Sequence, residues 1–139
     1  MSVNEKLAAA MASDAKLMGK NRMDYLVEVE SDTAVRQLSP DFKALGKLDV
    51  RGVIVTARGD VPDYDFISRF FAPAAGVDED PVTGSAHCCL ADFWQRRLGK
   101  AEMVGYQASN RGGIVRVRVE GDRVILGGNA VTVASGELR

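Results

Sequence analysis

A chain of 139 residues, 46% hydrophobic and 27% charged, can bury one core and lies far from the weakly hydrophobic, highly charged composition of disorder. Its 18 Lys and Arg balance 19 Asp and Glu, and no basic run is present to follow a phosphate backbone, which argues against nucleic acid as a partner. The longest apolar runs, such as Gly52 to Ala57, are strand-length against the ~20 residues needed to cross a bilayer, and charges throughout Met1 to Lys20 argue against a secretory leader. A cytoplasmic chain is expected.

The first predicted element is a helix from Ser2 to Gly19, because Leu7, Ala10, Met11, Asp14, Leu17 and Met18 recur at three- and four-residue spacing. Tyr25 to Val29 reads as a strand. Ser31 or Asp32 then caps a short helix through Gln37, and Ser39-Pro40-Asp41 opens another through Leu48. Arg51 to Ala57 is rich in β-branched residues and ends on the turn Arg58-Gly59-Asp60, after which Tyr64 to Phe71 is extended again. Pro73 to Thr83 reads as a loop feeding a helix from Gly84 to Leu98, which closes on Arg96, Arg97 and Gly99 as a helix C-terminus favours.

Four short runs follow: Glu102 to Ser109, Gly112 to Glu120, Arg123 to Leu126 and Ala130 to Ser135. In the second, Val115, Val117 and Val119 alternate with Arg116, Arg118 and Glu120, the pattern of an antiparallel strand with one wet face. The expected architecture is α+β, a single domain over residues 1–139 with a curled, mostly antiparallel sheet wrapped around the Gly84 to Leu98 helix. Ala86, Cys89, Leu90, Phe93 and Leu98, widened by Ala91 and Trp94, give that helix an apolar stripe and a buried reading.

The chemistry concentrates in Asp80-Pro-Val-Thr-Gly-Ser-Ala-His87. A helix starting after Thr83-Gly84-Ser85 offers unpaired backbone N–H groups and a positive dipole end, and glycine lets an anion come close. Asp80 lies near enough to act there. The same residues also fit a plainer role, with Thr83 or Ser85 as an N-cap and Asp80 as a loop acid satisfying backbone donors. A phosphate-binding P-loop is excluded, since no Lys follows the Gly-Ser pair. His87, the only histidine, falls in the first helical turn, where packing or capping is its ordinary use. Cys88 and Cys89 are adjacent, offer no metal spacing, and read as small buried hydrophobes in a reducing compartment.

Three ordered segments, Phe66-Ile-Ser-Arg-Phe-Phe-Ala-Pro73, Glu79-Asp-Pro-Val-Thr-Gly-Ser-Ala-His87 and Tyr106-Gln-Ala-Ser-Asn-Arg-Gly-Gly113, resemble the phenazine-biosynthesis PhzF-like family, which has the diaminopimelate epimerase fold. The resemblance runs from about Met23 to the C-terminus and includes Arg51-Gly-Val-Ile-Val-Thr-Ala57. It is a resemblance to the second of two similar halves, with the first absent.

The family likeness implies an isomerase that moves a proton at carbon in a small carboxylate-bearing metabolite. Asp80 would be one acid/base group, and Gly84, Ser85 and the following N–H groups would grip the carboxylate. The principal acid/base glutamate of such enzymes belongs to the first half, and no segment here resembles it. No metal or organic cofactor is implied, and Asp80 stands where epimerase relatives of this fold use a cysteine. The expected partners are a second copy of the chain or a separate first-half chain. The rival reading is a catalytically silent module that binds a small acid or serves as an interaction surface.

Overall fold

A computed structural model describes residues 1–139 as one sheet with helices on both faces. The elements in chain order are α1 (Val3–Met11), β1 (Lys16–Lys20), β2 (Asp24–Glu28), α2 (Asp32–Gln37), α3 (Phe42–Leu45), β3 (Gly52–Arg58), β4 (Phe66–Ala72), β5 (Val77–Asp80), α4 (Gly84–Leu98), β6 (Glu102–Gln107), β7 (Gly113–Glu120) and β8 (Arg123–Gly127). The strands line up as β1-β2-β3-β4-β6-β7-β8, with β5 also paired to β4.

The sheet is mixed, with mostly antiparallel pairs. Only β2 with β3 and β4 with β6 run parallel. A parallel pair needs a long crossover. The two crossovers supply the helices: α2 and α3 connect β2 to β3 on one face, and α4 connects β4 to β6 on the other.

Alternation along each strand then sorts the core. Val53, Val55, Ile67 and Phe71 join Leu7, Met11, Val35 and Leu45 under α1 to α3, while Ile54, Phe66 and Phe70 join Ala86, Leu90 and Trp94 under α4. Covered on both sides, β3 and β4 are almost uniformly buried, whereas β7 buries Val115 and Val117 and exposes Arg116 and Arg118. One buried polar link ties the layers. Trp94 Nε1 donates to Thr56 Oγ1 at 3.0 Å, and the Thr56 hydroxyl in turn donates to the Ile67 carbonyl at 2.7 Å.

Several sequence expectations change. The first helix ends at Met11, where Ala12 turns left-handed at φ 49°, and Lys16 to Lys20 is a strand paired with β2. Helical spacing of Leu17 and Met18 thus yields to sheet pairing, since a five-residue strand carries too few positions to assert its own period. The expected Pro73–Thr83 loop contains a 3₁₀ turn, Pro73–Ala75, and strand β5. Ala130 to Ser135, expected as a strand, pairs with nothing and is exposed.

α4 spans the expected residues but packs by one face rather than being surrounded. Ser85, Cys88, Asp92 and Arg96, spaced by three and four residues, form an exposed stripe. Cys88 is exposed and Cys89 half-buried, so the two do not form the expected buried pair. No helix is long and apolar enough to cross a membrane.

This orientation of α4 predicts an asymmetric mutational response. Leu90→Ala, at a fully buried position, should cost about 2–5 kcal/mol, and Cys88→Ala on the exposed stripe should stay within about 0.5 kcal/mol. Urea unfolding checks both, and equal costs would contradict the packing.

Candidate active site at the start of α4

The site exists because two strands end against each other. β5 and β6 share one edge of β4, β5 pairing at Phe70 to Ala72 and β6 at Phe66 to Ser68. β5 runs antiparallel to β4 and β6 parallel to it, so their last residues, Asp80 opposite Phe70 and Gln107 opposite Ser68, converge. Gln107 lies on the α4 face of β6 and is fully buried.

A buried amide must find partners. Gln107 Oε1 accepts the Thr83 N–H at 2.7 Å, and Nε2 donates to the Asp80 carbonyl at 2.9 Å and to Thr83 Oγ1 at 3.1 Å. Thr83 Oγ1 in turn donates to Asp80 Oδ2 at 2.5 Å. The acid is therefore fixed through both its backbone and its carboxylate.

Those bonds explain how α4 begins. Thr83 is the N-cap residue, yet its hydroxyl makes no cap bond because Asp80 and Gln107 occupy it. The N–H groups of Gly84 and Ser85 thus lack a side-chain cap, and both residues are exposed. The expectation that Asp80 sits beside the Gly84-Ser85 helix start agrees with this geometry.

The loop after β6 holds the 80–83 segment from the other side. Ser109 Oγ donates to the Pro81 carbonyl at 2.7 Å and accepts the Gly112 N–H at 3.0 Å. Gly112 needs φ 74°, and a Cβ on Gly113 would lie 2.3 Å from Val82 Cγ2, so the glycine pair lets this loop close on Val82. Behind β5, Arg69 forks onto Glu79 at 2.7 and 3.0 Å while Nη1 reaches the carbonyls of Val35 and Leu38 at 3.1 and 2.8 Å. The strand that carries Asp80 is thereby tied to the end of α2.

Nothing local in the sequence marks Arg51 or Gln107 for the site, and Thr83 reads there only as an N-cap. The available signal was a polar residue in an apolar strand pattern: Gln107 follows Met103 and Gly105 on the inward face of β6. Arg51 forks onto buried Asp24 at 3.0 and 2.6 Å, and its Nη2 also donates to Ser85 Oγ at 3.0 Å. Hydrogen bonding to Asp24, with further support from the charges of Asp24 and Asp80, raises the guanidinium above its ordinary pKa.

His87 turns away from this mouth. Its Nδ1 lies 2.8 Å from the Thr83 carbonyl, an acceptor, so Nδ1 carries the proton and Nε2 is bare. Nε2 is buried without a partner, in a pocket shared with the Phe66 ring and Gly105. Burial holds the ring below its ordinary 6.5, only partly offset by the Thr83 bond. Burial likewise raises the Cys89 thiol, which keeps it protonated. No three His, Cys, Asp or Glu side chains converge as metal ligands.

A surface groove of about 580 Å³ lies elsewhere, along Asp65, Lys100, Arg116 and Ile125. Concavity alone would select it. Asp80 beside an uncapped helix start has the stronger chemical case, because it combines a fixed carboxylate with free donors.

The fold and site define an α+β domain with an acid beside an uncapped helix start. Residues 2–136 match the family model of phenazine biosynthesis-like proteins (PhzC-PhzF), and the chain belongs to that family. An uncharacterized isomerase of Halalkalibacterium halodurans is 53% identical over 121 residues, covering 87% of this chain and 46% of the relative. An uncharacterized isomerase of Pseudomonas aeruginosa is 59% identical over 114 residues, 82% of this chain and 43% of the relative. The crystal structure of a PhzF-family phenazine biosynthesis protein from Enterococcus faecalis superposes with a TM-score of 0.86 at 39% identity, over 96% of this chain and 51% of that one. The chain thus spans less than half the length of these curated relatives, and the match begins some twenty residues before Met23.

The buried neutral ring predicts a pH dependence of stability. The unfolded chain takes up a proton near the ordinary histidine value of 6.5, and the folded chain resists it, so stability is full above that value and falls as the pH drops below it. As His87 is the only histidine, His87→Gln should flatten the slope of unfolding free energy between about pH 7 and pH 5. Denaturant titrations at several pH values test this, and an unchanged slope would refute it.

Proposed function

We propose that this chain supplies the anion-gripping half of an isomerase site that moves a proton at carbon in a small carboxylate-bearing metabolite. The observation that carries the reading is Asp80, fixed by Thr83 and Gln107 beside the uncapped first turn of α4. The substrate carboxylate would rest on the N–H groups of Gly84 and Ser85, where helix dipole and donors favour negative charge. Asp80 Oδ2 accepts from Thr83, which leaves Oδ1 to take or return the proton. The same donors would steady the charge that develops as the C–H bond breaks. Family membership and relatives named isomerases support this class of reaction.

A second group is needed on the opposite face of the reacting carbon, and the reading assigns it to a first half facing this one. The curated relatives' additional length supports that assignment. So does apolar surface without cover: Val131, Val133 and Leu138 of the terminal segment are 84%, 91% and 104% exposed. With a partner half in place, the sheet would curl around α4 and close the open side of the site. A second copy is the simplest substitute in its absence, so a homodimer is proposed, in the cytoplasm.

Two outcomes test this. In D₂O, the chain alone should incorporate no deuterium into a panel of small carboxylates bearing an acidic C–H. The chain joined to the first half of the Halalkalibacterium relative should incorporate it for at least one of them, and Asp80→Asn should remove that exchange. Exchange by the chain alone, abolished by Asp80→Ala, would overturn the half-site reading. Light scattering at dilute concentration should give twice the single-chain mass of 15.0 kDa, and a clean monomer would refute the homodimer.

A further inference from the structure

We propose that Arg51 is a positioning residue of this site: held by Asp24, it fixes the Ser85 hydroxyl as an outward-facing donor for a ligand carboxylate. The inference rests on the reading of the α4 start as a carboxylate grip and adds a residue and a direction of hydrogen bonding to it.

The geometry begins with Asp24. At 1% exposure its carboxylate needs a close cation, and Arg51 Nε and Nη2 reach its two oxygens at 3.0 and 2.6 Å. The guanidinium also lies over the Phe70 ring at 5.2 Å. Phe70 is the strand neighbour of Asp80, and its ring fills the space that a Cβ on Gly52 would need, coming within 2.6 Å of that position. Fork and ring together fix the plane of the guanidinium.

Nη2 carries two hydrogens. One serves Asp24, and the other is directed at Ser85 Oγ, 3.0 Å away. A hydroxyl that accepts from a guanidinium has its own proton to place elsewhere, and Ser85 has no acceptor within the chain. Because Ser85 is exposed at the first turn of α4, its O–H joins the uncapped N–H groups of that turn as a donor.

Charge points the same way. Asp24 and Asp80 both act on Arg51, so without it an arriving carboxylate would meet two like charges and a serine free to turn its proton inward. A purely structural Asp24–Arg51 pair would need only the fork. The third bond, to Ser85, ties it to the site.

Malonate binding measured by calorimetry on the whole chain tests the proposal. Removing Arg51 alone strands buried Asp24, so the informative variant is the neutral pair Asp24→Asn with Arg51→Gln, accompanied by Arg51→Lys and Ser85→Ala. The neutral pair and Ser85→Ala should each weaken malonate binding by about tenfold. Combining them should weaken it little further, because both remove one donor. Arg51→Lys, which keeps the charge but loses the fork, should fall between wild type and the neutral pair. Equal affinity in wild type and Arg51→Lys, or additive losses in the combined variant, would overturn the positioning role while leaving the carboxylate grip standing. If the wild-type chain binds no malonate, the grip and the proposal fail together.

Discussion

The side-chain amide of Gln107 is the constraint on which the site depends. Fully buried where two strands end, it must satisfy an acceptor and a donor, and the partners within reach are the Thr83 N–H, the Asp80 carbonyl and the Thr83 hydroxyl. Satisfying the amide withdraws Thr83 from capping α4 and turns its hydroxyl to Asp80. One buried polar group thus leaves the helix start open and sets an acid beside it. The strand order makes this possible, since only a β5 and β6 that share one edge of β4 bring Asp80 and Gln107 together.

The legible part of the fold was the part whose periodicity is local. Gly84 to Leu98 announced itself through its stripe and its Gly99 stop, and the Val115 to Val119 alternation identified a half-exposed strand. What failed depended on partners. Lys16 to Lys20 is a strand because β2 lies beside it, and Ala130 to Ser135 remains unpaired because nothing in the chain lies beside it. The apolar stripe on α4 suggests encirclement, although Ser85, Cys88, Asp92 and Arg96 mark an outward face. The parallel pairs were hidden for the same reason, as strand direction follows from the crossovers rather than from any one strand.

In the site, Asp80, Gly84 and Ser85 were legible because they lie within six residues of one another at a helix boundary. Arg51 and Gln107 come from 34 residues before Ser85 and 24 residues after Thr83 and had no local signal beyond a polar residue among apolar ones. His87 lies within the same segment, yet the packing or capping role expected for it is the one it has: its ring faces Phe66 and its Nδ1–H donates to the Thr83 carbonyl. Sequence neighbours on a helix face different ways, and only the packing decides which one meets the ligand.

Binding of a small carboxylate at the start of α4, beside Asp80, underlies the proposed function. Its most direct measurement is a titration of the ¹⁵N-labelled chain with malonate, followed through backbone amide resonances. Saturable shifts concentrated at Gly84, Ser85 and Ala86 are expected, with Thr83 and Gln107 responding through their shared hydrogen bonds. Shifts centred instead on the groove at Lys100 and Arg116, or none at all, would contradict it.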